Sequence, residues 1–147
     1  MKRLFKKQER GFTLVELLVV VAIIGLLVGM LVISIKGIKA KARDTQRVAD
    51  INSYATALGL YHNDYNTYPI YDGYITRTDS LSTALINAEI MNNPPLDPLN
   101  QDSVGCGSLS GYHYYYRSTD GRDYYLGYCL ETDSIHGKSK GENYFIP

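Results

Sequence analysis

Residues 12–35 form a run of 24 positions in which only Thr13, Glu16, Gly25, Gly29 and Ser34 are not plainly apolar. At about 1.5 Å per residue a helix of that length reaches roughly 36 Å, enough for a bilayer's hydrocarbon core of roughly 30 Å. A helix that is apolar all round has no polar face to give to water, which argues against a core helix of a small soluble domain. One carboxylate, Glu16, interrupts the run near its start. A charge at a helix centre in hydrocarbon costs about 2.5–3.5 kcal/mol on insertion scales, and less near an end.

The flanks differ in charge. The first 11 residues, MKRLFKKQERG, hold five Lys/Arg and one Glu, or +4, and the remaining ten basic and fourteen acidic residues leave −4 on the rest. A basic start before an apolar run, with Ala40-Lys41-Ala42 as an A-x-A site, has the outline of a secretory signal peptide. Its apolar core exceeds the usual length of about 7 to 15 residues, however, and Lys36 and Lys39 intervene before that site. A plain signal anchor, basic flank in the cytoplasm and C-terminal domain exported, explains orientation but not Glu16. For Glu16 alone, snorkelling to the interface or capping its own helix start remains an alternative.

The stretch Gly11-Phe12-Thr13-Leu14-Val15-Glu16, behind a short basic leader and ahead of a long apolar helix, resembles the prepilin signal of type IV pilins and type II secretion pseudopilins. The resemblance implies that a prepilin peptidase cuts between Gly11 and Phe12 and methylates the new Phe12 amine. A mature chain of 136 residues would remain. It also gives Glu16 a role in assembly, paired with the Phe12 amine of a neighbouring copy and close to the positive end of the helix dipole.

Beyond residue 35 the helical pattern continues, with Val48, Ile51, Ala55 and Leu58 spaced 3, 4 and 3 on one face. No Pro occurs between Phe12 and Tyr68, and the Asn63-Asp64-Tyr65-Asn66 cluster before Pro69 reads as the stop. The segment from Lys39 to Pro69 also resembles the major pseudopilin and its relatives. Lys36, Lys39, Lys41, Arg43 and Arg47, interspersed with Asp44 and Asp50 and lacking an aromatic among them, read as a solvated or lipid-headgroup face; nucleic acid is not the expected partner.

All 14 tyrosines lie at Tyr54 or later and there is no Trp, so the C-terminal part must pack with Tyr and find partners for its hydroxyls. Thr78-Asp79-Ser80 caps a short helix over 80–86, whose Leu81, Leu85 and Ile86 would pack on the long helix. Asp97-Pro98 marks a turn before strand-rich sequence. Two Tyr-rich runs, 112–117 and 124–130, flank an Asp120-Gly121 turn and predict a hairpin, and Tyr144-Phe145-Ile146 offers a returning strand. Cys106 and Cys129, in an exported domain, are expected to form a disulfide that closes a loop worth about 3 kcal/mol in the chain-entropy view.

These readings combine into an α+β, pilin-like fold: a leader over 1–11, a transmembrane or filament-core helix over 12–35, its amphipathic continuation over 36–68, and a globular head with a small antiparallel sheet over 69–147. His62, His113 and His136 are isolated and no nucleophile or phosphate-loop motif occurs, so no enzyme and no catalytic residue is expected. Relatives commonly hold calcium in a C-terminal acidic loop. Glu131, Asp133 and Glu142 occupy the comparable region without the usual clustering, so no metal or other cofactor is expected. The implied partners are the prepilin peptidase, further copies and pilins, and an assembly platform with its ATPase. The implied location is the cytoplasmic membrane, with the N-terminus in the cytoplasm, and then a pilus or pseudopilus. A monomeric membrane-anchored binding module with a Tyr-rich head is the competing reading.

Overall fold

The computed structural model describes residues 11–147, except the side chains of residues 30–34. Most of the expected leader, 1–11, lies outside the described residues. The chain divides into two compact units between Ile38 and Lys39.

Helix α1 spans Leu14–Tyr65. Its length follows from a sequence without proline, and its end is chemical. Asn66 takes φ 56°, a left-handed conformation that Asn tolerates at a helix C-terminus, and its N–H closes on the His62 carbonyl at 2.8 Å. In the first unit the apolar side chains are exposed on every face, Phe12 at 73 % and Leu26 at 65 %. Among the described residues, however, no helix is long and apolar enough to cross a membrane. The expected span over 12–35 is therefore not supported, since it runs into residues 30–34.

The second unit is built from the C-terminal part of α1 and the elements that follow: β1 (Tyr71–Tyr74), α2 (Ser80–Asn87), β2 (Gln101–Asp102), β3 (Gly111–Tyr112), β4 (Tyr115–Ser118), β5 (Tyr125–Leu130) and β6 (Gly141–Phe145). The four-stranded sheet runs β1-β4-β5-β6, and β2 pairs with β3 in a separate ribbon. All pairs are antiparallel. The architecture is the expected α+β arrangement of one long N-terminal helix followed by a small antiparallel sheet.

Strand alternation sends Tyr116, Leu126, Tyr128 and Leu130 into the same core as Ile51, Tyr54 and Leu58 of α1 and Leu81 and Leu85 of α2. Three of the buried tyrosines place their hydroxyls on acceptors: Tyr54 on the Pro95 carbonyl at 2.8 Å, Tyr114 on Asp50 at 2.7 Å and Tyr116 on the Pro69 carbonyl at 2.7 Å. Helix α2 begins as expected. Asp79 accepts from the Ser82 N–H at 2.9 Å and the Ser82 hydroxyl at 2.7 Å, and from the Thr76 N–H at 2.8 Å. Burial would raise its carboxyl pKa, but these donors outweigh it and hold the group below its ordinary value.

The predicted hairpin is present as β4 and β5, with Arg117 opposite Tyr125 and Gly121 at φ 75° in the turn. Its first arm is shorter than expected. Tyr112 belongs to β3, because Gly111 comes so close to β2 that a Cβ there would lie 2.4 Å from the Gln101 carbonyl. The tyrosine run 112–117 is thus divided between two sheets. The tail returns as β6, with Phe145 opposite Leu126.

Candidate functional site

In the first unit the segment singled out by sequence sits at the start of α1. Gly11, Phe12 and Thr13 precede the helix without regular structure and are exposed. Thr13 supplies the cap: its hydroxyl oxygen accepts the Glu16 N–H at 3.2 Å, and its carbonyl accepts the Leu17 N–H at 3.2 Å. The Thr13 hydroxyl in turn lies 3.5 Å from Glu16 Oε2. Thr-x-x-Glu is a capping-box spacing, so the capping reading of Glu16 has a geometric basis, with Thr13 as the residue that carries the cap. Glu16 itself stays exposed, within the first turn, where the helix dipole favours an anion. The Gly11–Phe12 peptide thus precedes the helix, between two exposed residues.

In the second unit the basic group expected to face solvent divides in two. Lys36, Lys39 and Lys41 are exposed. Arg47, by contrast, is fully buried, as is Asp44. The Arg47 guanidinium forks onto Asp97 at 2.6 and 3.0 Å and reaches Asp44 at 2.8 Å and Glu131 at 2.7 Å, while the Tyr112 ring centroid lies 4.7 Å from the guanidinium carbon. Arg43 pairs with the same Glu131 through Nε at 2.7 Å. Asp44 also accepts the N–H groups of Glu131 and Thr132, both at 2.9 Å, and the Thr132 hydroxyl at 2.7 Å.

The reading of Arg43 and Arg47 as a solvated or lipid face is therefore corrected: their charges are consumed by three carboxylates from three parts of the chain. Burial alone would lower the Arg47 pKa, but its bonds to Asp97 and Glu131 outweigh that and raise it. The Arg43 hydrogen bond, against some desolvation, holds Glu131 below its ordinary value. Two features of the sequence, neither of them used in that reading, mark the cluster. Asp44 and Arg47 continue the spacing of the buried stripe toward the N-terminus, and Asp97 belongs to the Asp-Pro turn.

Cys106 and Cys129 are joined, with Cα atoms 5.6 Å apart, and pack with Leu109 in a small satellite cluster. Glu131, Asp133 and Glu142 are not brought together. Glu131 is taken by the two arginines, Asp133 accepts the Lys140 N–H at 2.7 Å, and Glu142 accepts the Ser108 N–H at 3.1 Å and the hydroxyls of Ser108 and Tyr144. This donor set does not fit a calcium ion, because its most buried member already neutralises two guanidiniums. The histidines are equally dispersed. The His62 ring centroid lies 4.6 Å from that of Tyr68, His113 lies between Asn100 and Asp102 at 3.1 and 3.2 Å, and His136 is exposed.

Comparison with known proteins places the similarity at the N-terminal end. Residues 6–32 match the prokaryotic N-terminal methylation motif. The chain is 44% identical over 62 residues to a type II secretion system core protein G of Pectobacterium carotovorum, covering 42% of this chain and 40% of that one. It is 41% identical over 64 residues to the protein of the same description from Aeromonas hydrophila (44% and 45% covered), and 42% identical over 62 residues to that from Escherichia coli K12 (42% and 43% covered). The matched region thus spans less than half the length of these curated relatives. No solved structure matches.

Proposed function

We propose that this chain is a structural, non-catalytic subunit of a type II secretion pseudopilus or a type IV pilus. It is cut between Gly11 and Phe12 by a prepilin peptidase, methylated at the Phe12 amine and polymerised through the N-terminal part of α1. The observation that carries this reading is the junction itself: an exposed Gly11–Phe12 peptide ahead of the helix, a capped helix start at Thr13, Glu16 in the first turn, and an apolar surface on every described face behind it. Such a surface requires cover, first from the cytoplasmic membrane and then from the helices of neighbouring copies in the filament. In that apolar setting, Glu16 and the methylated amine of the next copy repay each other's desolvation and set the register between copies. The similarity to type II secretion proteins favours the pseudopilus, with the secretion system's assembly platform and ATPase as partners.

Intact-mass measurement of the protein purified from membranes tests the reading. The expected species lacks residues 1–11 and carries one added methyl group on Phe12. A full-length, unmethylated chain would instead point to the monomeric anchored binding module.

A further inference from the structure

Segment 103–110, between β2 and β3, lies across the face of the four-stranded sheet opposite the core. Tyr125, Gly127 and Cys129 alternate along β5 with the core residues Leu126, Tyr128 and Leu130, and so belong to that outer face. There the segment meets all four strands. The Ser110 N–H donates to the Tyr74 hydroxyl of β1 at 2.8 Å, and the cluster of Cys106, Leu109 and Cys129 packs against Tyr115 of β4. Cys106 is bonded to Cys129 of β5, and the Ser108 N–H donates to Glu142 of β6 at 3.1 Å. Gly127 leaves room for this strap: a Cβ there would lie 3.3 Å from Leu109 Cδ2.

The ties differ in kind. Apart from the disulfide, the strap's polar contacts with the sheet are hydrogen bonds at exposed positions, to Tyr74, Glu142 and Tyr144, where water competes for the same groups. Besides Cys106 its one buried apolar side chain is Leu109, and Val104 is fully exposed. Leu109 belongs to the satellite cluster with the two cysteines, whereas the core, among the described residues, contains no member of 103–110. All of these contacts lie within the second unit. Breaking the covalent tie therefore removes what fixes the strap and leaves the contacts of the core in place.

We infer that the Cys106–Cys129 bond is a redox latch: reduced, the 103–110 strap lifts from the sheet while the core stays folded, and oxidised, it is fastened over Tyr115, Gly127 and Tyr144. Closing the latch takes a disulfide oxidant. The thiolate of one cysteine attacks a sulfur of the oxidant's disulfide, and the thiolate of the other cysteine then displaces that sulfur from the mixed disulfide. Two electrons and two protons pass to the oxidant, which leaves as a dithiol, and a dithiol reductant runs the same steps backward. The cysteines of the closed form are covered, Cys106 at 2% and Cys129 at 1% exposure. Thiols and oxidant therefore meet while the strap is lifted, and the core forms before the latch closes.

Amide hydrogen exchange of the full chain in detergent micelles, with the disulfide intact and after reduction, tests the latch. Reduction should speed exchange at Ser108, Leu109 and Ser110 at least about tenfold more than at Tyr54 and Leu58 of α1. Equal factors at strap and core, or no change at the strap, overturn the inference. The double variant Cys106→Ser/Cys129→Ser repeats the comparison without a reductant and should keep the near-ultraviolet dichroism of its buried tyrosines. Loss of that signal would mean that the bond holds the core, which also overturns the latch. Iodoacetamide added to the reduced chain in native buffer gives a second readout: both thiols should be alkylated faster than the amides of Tyr54 and Leu58 exchange, and thiols that react only as fast as those amides refute a strap that lifts by itself.

Discussion

Arg47 has no water to fall back on, and its substitution shows what a buried charge cluster contributes. Arg47→Met would leave Asp97 and Asp44 buried without their cation, and breaking a buried pair in this way costs about 3–5 kcal/mol. Arg47→Lys should recover only part of that, because an ammonium cannot reproduce the fork onto Asp97. Urea unfolding of both variants measures the loss, and a loss below about 1 kcal/mol for Arg47→Met would mean that the cluster behaves like a surface pair. The pH dependence has a defined sign. Glu131 has a folded pKa below its ordinary 4.5, so its contribution is present above that value and is lost as pH falls through the lower folded one. Arg43→Met should flatten this acid limb most, because the Arg43 hydrogen bond is the larger cause, and Arg47→Met should flatten it only in part. At the other marked residue, Glu16→Ala should leave the subunit membrane-associated but unassembled, and normal filament yield would refute the pairing of Glu16 with a neighbour's amine. Glu16 was conspicuous in the sequence because an apolar run surrounds it. Arg47 was not, because a charged residue among lysines looks solvated until Asp97, fifty positions away, is known to face it.

Helix α1 illustrates how far periodicity reaches. The apolar positions Val48, Ile51, Ala55 and Leu58 identified the inward face; Ile51 and Leu58 are buried on it, Val48 and Ala55 are half-buried, and the structure extends it through Tyr54 and Ala57 and back to Arg47 and Asp44. Tyr54 escapes a hydrophobic pattern because its hydroxyl scores as polar, although that hydroxyl is satisfied by the Pro95 carbonyl. A test of the face lies in two leucines two positions apart. Leu58 is fully buried and Leu60 is 53% exposed. Leu58→Ala should cost about 2–5 kcal/mol as a core truncation, and Leu60→Ala should stay within about 0.5 kcal/mol as a surface change. Equal losses by chemical denaturation would place the core face elsewhere. The strands were legible where turn chemistry marked them, as at Asp120-Gly121. The division of the 112–117 tyrosine run was not, because Gly111 is set by the approach of β2, a contact between segments that no local pattern records.

At the scale of the whole molecule, the two parts of the chain have opposite requirements. Up to Ile38 the described residues expose their apolar side chains. From Lys39 onward, among the described residues, the charge cluster begins at Arg43 and the core at Val48, and the disulfide lies entirely inside the same unit. Every interaction assigned above to stability in that unit is therefore retained by a fragment of residues 39–147. The fragment gives up only solvent-facing helix at its new start, since Lys39, Lys41 and Ala42 bury little, and Asp44 stands far enough in to survive fraying of the first turn. It should therefore be soluble, monomeric and folded, with a single cooperative urea transition and the near-ultraviolet dichroism of ordered tyrosines. Arg47→Met should lower its midpoint as it does in the full chain. The composition already pointed this way, with +4 on the leader, −4 on the rest and every tyrosine at or beyond residue 54. The sequence also indicated one long helix with an apolar first part and an amphipathic continuation; what it did not indicate is that the buried stripe begins with a charge, at Asp44. A fragment that stays unstructured, or unfolds without cooperativity, would mean that the head borrows stability from residues before Lys39, and the independence of the two units would have to be abandoned.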